Sequence, residues 1–243
     1  MGKMKRKAVG LLNRIQFIDL AQAVTVSPPH RKEWLREYLH RAVDGGKFPS
    51  YRHFRNAIPS IYGVRRGLDL SPPVDRKSLE KHLRIACNGV DEAINVDAAL
   101  TLFDLVRPLR YLAYDHPPRN LPLGLKRTAA IGLEFYMVRD ETPIFQFPFP
   151  RRDRLDDHTI TILLSIIHYA YSTDDFEDAR VELADLSCDF ETPESRREKL
   201  PRVRCPRIVR LLKESLISMD DLAPEIQSVH DLLLELGEEP DPT

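Results

Sequence analysis

Apolar positions in this chain recur with two different periods, and the change of period divides it. From residue 8 to about 116 they return every three or four positions, the signature of helices with one buried stripe. Leu11, Ile15, Ile18 and Ala21 predict a helix over 8–24. Pro28 and Pro29 break the pattern, and Trp34, Leu35, Tyr38, Leu39 and Ala42 restart it over 31–43, where Asp44, Gly45 and Gly46 stop it. Tyr51, Phe54, Ala57 and Ile58 predict a short helix from Ser50, interrupted by Pro59. Leu79, Leu83, Ala86 and Cys87 predict another, opened by Asp75 or Ser78 and ended by Gly89. Ala99, Leu100, Phe103, Val106 and Ala113 predict a long helix from 95 to 116, kinked near Leu105 by Pro108.

Between 128 and 188 the period drops to two. Ile131, Leu133, Phe135 and Met137 alternate with Ala130, Gly132, Glu134 and Tyr136, which predicts one strand. RDET reads as a hairpin turn, and PIFQFPFP as a second strand, with Pro143 and Pro148 arguing for an edge. Asp156 or Asp157 then caps DDHTITILLSIIHYAYS, a helix apolar on most sides and so buried between neighbours. ARVELADLS is a third strand. Pro193 to Val203 is charged and irregular. Pro206 predicts a helix with Ile208, Leu211, Leu212 and Ile217 inward, and Pro224 opens a last helix to Gly237. The order is that of an α+β fold: a basic helical part, then a small β-hairpin/helix/strand core, then C-terminal helices. The divisions expected are 1–70 for the basic helical region, 75–236 for the core, with the linker LDLSPPVD between them, and 237–243 as a disordered tail.

Charge sharpens this division. The formal net charge of −1 hides 23 Lys and Arg against 12 Asp and Glu in residues 1–127, and 13 against 25 in the rest. Two readings follow: the halves attract each other, within one chain or between copies, or the basic half meets a polyanion. No apolar run approaches the roughly 18–20 residues of a membrane span. The start of the chain is basic, but Asn13, Arg14, Gln16 and Asp19 break its apolar part, unlike a secretory signal. Three cysteines, Cys87, Cys188 and Cys205, lie far apart with no CxxC pair, which fits a reducing cytoplasm.

The stretch DLAQAVTVSPPHRKEWL resembles a DNA-binding helix-turn-helix. Leu20-Ala21, Val26-Ser27 and Trp34-Leu35 fall at the matching offsets, with Val26 at the corner. It departs at Thr25, where the turn favours Gly, and at Arg31, where the second helix expects an apolar residue. The resemblance implies that His30, Arg31, Lys32 and Arg36 lie near DNA. Arg52 and Arg55 join them as candidate nucleic-acid contacts, because Phe48, Tyr51, Phe54 and Tyr62 interleave with cations there. Arg151, Arg152 and Arg154 follow the aromatic strand and suit pairing with Asp153, Asp156 and Asp157.

Enzyme chemistry has thinner support. A metal-dependent nuclease site on the 128–188 core would use Glu134 with Asp115 and Asp140, but strand two offers Gln146 where an acid is needed and no Lys two residues on. The eight histidines show no HxxxH, and there is neither a GxSxG elbow nor a phosphate-binding glycine loop. Cys188 is more simply a buried thiol, and His168 a core histidine bonded to backbone. No cofactor or metal is expected, and whether the chain catalyses anything stays open. The reading is a cytoplasmic, non-enzymatic nucleic-acid-associated or regulatory protein. Its alternatives are a nuclease-like enzyme and a protein–protein interaction module. The partners considered are DNA or RNA on the basic half, or self-association through the opposite-charge halves; a membrane is not among them.

Overall fold

A computed structural model of the chain describes residues 16–43, 50–65, 74–87, 89, 91–124, 127–188 and 203–238. The basic leader, the Asp44–Gly46 stop, most of LDLSPPVD, the charged segment up to 202 and the tail from 239 lie outside these residues.

The architecture follows from one parallel strand pair. Strand β5 (Thr142–Phe149) lies beside β6 (Arg180–Asp185) in parallel register, Phe145 next to Val181 and Phe149 next to Asp185. Parallel neighbours need a crossover, and here it is a helix, Asp157–Tyr171. Asp156 caps that helix by accepting from the Thr159 N–H at 2.8 Å. As its all-round apolar pattern predicts, nine of the helix's residues are buried. Strands β1 (Leu112–Asp115) and β4 (Phe135–Arg139) extend the sheet on one side and β7 (Arg207–Arg210) on the other, in the order β1-β4-β5-β6-β7. Strands β2 (Arg119–Gly124) and β3 (Arg127–Ile131) form a separate two-stranded ribbon.

Helices cover both faces of the five-stranded sheet. In chain order they are α1 (Phe17–Thr25), α2 (Pro28–Val43), α3 (Arg52–Tyr62), α4 (Arg76–Cys87), α5 (Glu92–Val106), α6 (the crossover) and α7 (Met219–Glu238). Phe145, Phe147 and Phe149 point to one face, where Phe147 meets Phe17 of α1 edge-on at 4.9 Å and Phe145 meets Tyr171 of α6 at 4.5 Å. Helices α1, α2, α6 and α7 gather on this side. On the other face Tyr62 of α3 lies 4.5 Å from Phe135, and α3, α4 and α5 pack on one another as a second layer. A single apolar core runs through residues from Phe17 to Leu236. The α+β class is the one the sequence predicts.

Several elements differ from expectation, each for a local reason. The expected kinked helix to 116 stops at Val106, because Pro108 has no N–H to continue it, and the chain then turns into β1. The expected single strand over 128–138 breaks at Gly132–Glu134. Leu133 N–H turns back to the Ile131 carbonyl at 2.6 Å, so β3 joins β2 while β4 joins β1. PPRNLPLGLK, expected as a connector, supplies β2. Strand β5 is central, not an edge: β4 pairs with it only as far as Ile144, so Pro148 lies beyond that ladder and costs it no bond. Pro59 sits inside α3, which runs on to Gly63, whose left-handed backbone (φ 61°) ends it. The segment after Pro206 is strand β7 instead of helix. The RDET turn forms as expected, with Asp140 and Glu141 both at positive φ, as a twisted two-residue hairpin turn requires.

His116, just after β1, is buried among Phe145, Tyr171, Phe176 and Tyr136, with ring centroids at 5.3–6.2 Å. Burial holds its pKa below the usual histidine value, outweighing the bond between Nδ1 and the Pro117 carbonyl at 2.7 Å. A folded-state pKa below the unfolded one means that this site's contribution is complete above about pH 6.5 and is lost as pH falls through the folded value. Urea midpoints should therefore drop between pH 7.5 and pH 5, and less so in His116→Phe. An equal drop in that variant would mean that the acid sensitivity arises elsewhere.

Candidate functional site

The residues singled out as DNA contacts do not form one surface. Helices α1 and α2 do make a tight corner, but Arg31 of α2 is inside it, 2% exposed. Its guanidinium donates to the Val24 and Val26 carbonyls at the end of α1 at 3.0 and 3.2 Å, and to Ser228 Oγ on α7 at 3.3 Å. Glu225 of α7 lies 2.7 Å away. The departure at Arg31 is thus resolved in favour of packing: the cation caps the orphan carbonyls of α1 and fastens both helices to α7. Lys32 Nζ lies 2.6 Å from Glu235, also on α7, and Arg36 pairs with Glu33. His30 is exposed. Arg52 and Arg55 are exposed on α3, on the opposite face of the sheet from these four.

The charged residues that the fold does concentrate were not among those candidates. Glu182 and Asp185 on β6 are both 0% exposed. Gln146 is the parallel neighbour of Glu182 and donates to its Oε2 at 2.7 Å. Arg139 on β4 and Arg210 on β7 both donate to its Oε1, at 3.1 and 2.6 Å. Tyr62 of α3 donates to Gln146 Oε1 at 2.6 Å, and burial pushes its phenol pKa well above the usual value. Asp185 accepts from Arg207 Nε at 3.0 Å and from the Ser187 N–H at 3.0 Å. Both oxygens of Glu182 are committed, so this group is a bolt and not a reacting carboxylate: it ties β4 and edge strand β7 to the centre of the sheet. The signal in the sequence was two acids inside the core strand ARVELADLS, facing arginines in a segment expected to be helical.

Nuclease geometry is absent from the hairpin. Glu134 and Asp140 bracket β4 and so lie roughly 20 Å apart at strand rise, too far to share a cation. Gln146 is buried in the network just described. The arginines after β5 pair with helical carboxylates on both faces: Arg151 with Asp19 at 2.7 Å and Arg152 with Asp97 at 3.5 Å. His168 is bonded to a side chain instead of backbone, its Nδ1 lying 2.7 Å from Ser172 Oγ. The pair lines a cleft with Arg119, Tyr169 and Ile217. Burial, with Lys213 nearby, holds the His168 pKa below the usual value. No carboxylate pairs with that imidazole among the described residues, so it lacks the orienting group of a catalytic triad.

The model of the SocB family, described as sliding clamp-binding bacterial toxins, matches residues 18–239. The chain belongs to this family. The match begins in the first turn of α1 and ends just past α7, so it spans both helical layers and the sheet between them. No curated protein and no solved structure matches the chain. Membership corrects the expectation of a nucleic-acid-associated or regulatory protein: the SocB family is defined by a protein, the sliding clamp, and by toxicity. No helix among the described residues is long and apolar enough to cross a membrane.

Two stability measurements test these assignments. Glu182→Ala leaves two guanidinium groups and an amide without their acceptor, and should destabilise the protein by about 3–5 kcal/mol in urea unfolding. A loss under about 1 kcal/mol would show that the bolt is dispensable. Arg31→Ala should cost about 3 kcal/mol, whereas Glu225→Ala, removing its half-exposed partner, should cost about 1 kcal/mol or less. Equal losses would place the stabilisation in the ion pair instead of the buried caps.

Proposed function

We propose that this chain is a toxin of the bacterial cytoplasm that acts by binding the DNA sliding clamp. The observation that carries the reading is the family match over residues 18–239, which takes in every helix and strand from α1 to α7. The site chemistry is in keeping with it. Among the described residues the buried charges around Glu182 are saturated by their own partners, and a toxin that works by occupying a partner's surface needs no reacting group. What such a protein needs is a rigid body that presents one face, and a sheet bolted at its edge and covered on both sides supplies that.

The test uses the full chain and the purified sliding clamp of the host bacterium. Biolayer interferometry should give a saturable complex with Kd of about 10 μM or tighter. Expression from an inducible promoter should arrest growth, and extra clamp supplied from a second plasmid should relieve the arrest. No complex at about 100 μM, or arrest indifferent to clamp dosage, would sink the proposal.

A further inference from the structure

The cleft beside His168 opens where the end of α6, the start of β2 and the start of α7 meet. Its volume is about 510 Å³, within the size range of small-molecule sites. Part of its polar lining is engaged by the fold itself. Ser165 Oγ donates to the Thr161 carbonyl at 2.7 Å and accepts from the Ile217 N–H at 2.9 Å. Ser218 Oγ donates to Asp221 Oδ2 at 2.6 Å and accepts from the Asp221 N–H at 3.2 Å. Ser172 Oγ is held by His168 Nδ1.

The remaining polar groups are not engaged. The Arg119 guanidinium, the Asn120 amide, the Tyr169 and Thr173 hydroxyls and His168 Nε2 have no partner among the described residues. Four of the five are donors as they stand. His168 becomes the fifth when Ser172 donates to Nδ1, which leaves the ring hydrogen on Nε2. Five unengaged donors in one cleft call for an acceptor-rich ligand.

Charge points the same way. No carboxylate lines the cleft. The acids nearest in sequence, Glu214, Asp220 and Asp221, lie outside the lining, and Asp221 is held by Ser218. The negative end of α6 and the positive end of α7 meet here and offset each other, so side chains set the sign. Those side chains are Arg119 and, close enough to act on His168, Lys213. Neither makes an ion pair among the described residues. A second cleft, along α7, has Asp231 and Glu235 in its lining and would repel the same ligand.

The other wall is apolar. Tyr169 is 51% exposed, and Ala170, Ile217 and Met219 line the cleft with it. A guanidinium without a carboxylate suits a phosphate, and an exposed ring suits a flat, weakly polar body. A ligand with both features answers both walls.

We propose that this cleft binds a small phosphate-bearing ligand of mononucleotide size, with the phosphate on Arg119 and the flat part against Tyr169. The site stands apart from the clamp reading, and neither depends on the other.

The experiment titrates the full chain with AMP, GMP, CMP and UMP by isothermal titration calorimetry, beside adenosine and inorganic phosphate. At least one nucleotide should bind with Kd of about 100 μM or tighter, and about 10-fold tighter than adenosine or phosphate. R119Q should weaken that complex about 10-fold or more and Y169A about 5-fold or more. R52Q, on the other face of the sheet, should stay within about twofold. Thermal melts check folding, and R119M and Y169L replace either variant that fails to fold. Adenosine binding as tightly as the nucleotide would remove the phosphate from the assignment. Inorganic phosphate doing so would remove the flat part. Either result overturns the proposal, as does nucleotide binding that R119Q and Y169A leave intact. No nucleotide binding at about 5 mM overturns it outright.

Discussion

The parallel pairing of β5 with β6 is the constraint from which the rest of the fold follows. A parallel neighbour cannot be reached by a tight turn, so the chain must cross the sheet, and α6 is that crossing. Once α6 lies on the phenylalanine face, β5 and β6 have partners on both sides and above, and every residue of β6 after Arg180 is buried. The register of the same pair sets Gln146 beside Glu182 and turns both toward α3. A carboxylate buried at that point must be neutralised from within reach; β5 offers it an amide, Gln146, and the cations come from β4 and β7. Arg139 and Arg210 come from those two strands. The sheet's width and its polar bolt are thus consequences of one pairing.

Much of this was legible in the sequence, and the parts that were not share a physical cause. The crossover helix, its cap at Asp156, the hairpin turn at Asp140 and Glu141, and β6 announce themselves by local periodicity and turn chemistry. The failures come where a segment's state is decided by a distant partner. Arg207–Arg210 has an apolar spacing that a helix would accept, and becomes a strand because Asp185 and Glu182 hold its arginines. Strand β1 lies where a helical stripe still continues, but Pro108 ends the helix and β4 offers an edge. Arg31 looked like a surface cation because its partners, Glu225 and Ser228, are almost 200 residues away in sequence. Local pattern cannot report such ties.

The same limit applied to function. The aromatic and basic interleaving around Tyr51 to Tyr62 suggested a nucleic-acid surface because sequence spacing does not say which way rings face. In the fold the rings Phe54 and Tyr62 go to the core and the cations Arg52 and Arg55 to solvent, which separates two features that base stacking on a single strand would use together. The description of the family names a protein partner, the sliding clamp, and not a nucleic acid.

A net charge of −1 would ordinarily argue against strong electrostatic recognition. The fold shows why the sum misleads. Helix α7 sets its carboxylates against Arg31 and Lys32 of α2, so the cations of that helix are neutralised at close range. Helix α7 packs on α1, α2 and α6, so the sheet keeps it on the other side from α3–α5. At a Debye length of roughly 8 Å, charges on opposite sides of the sheet cancel little of each other's field. Cations and carboxylates are therefore neutralised by the neighbours the fold brings close, and which neighbours those are depends on the sheet staying bolted between its two layers.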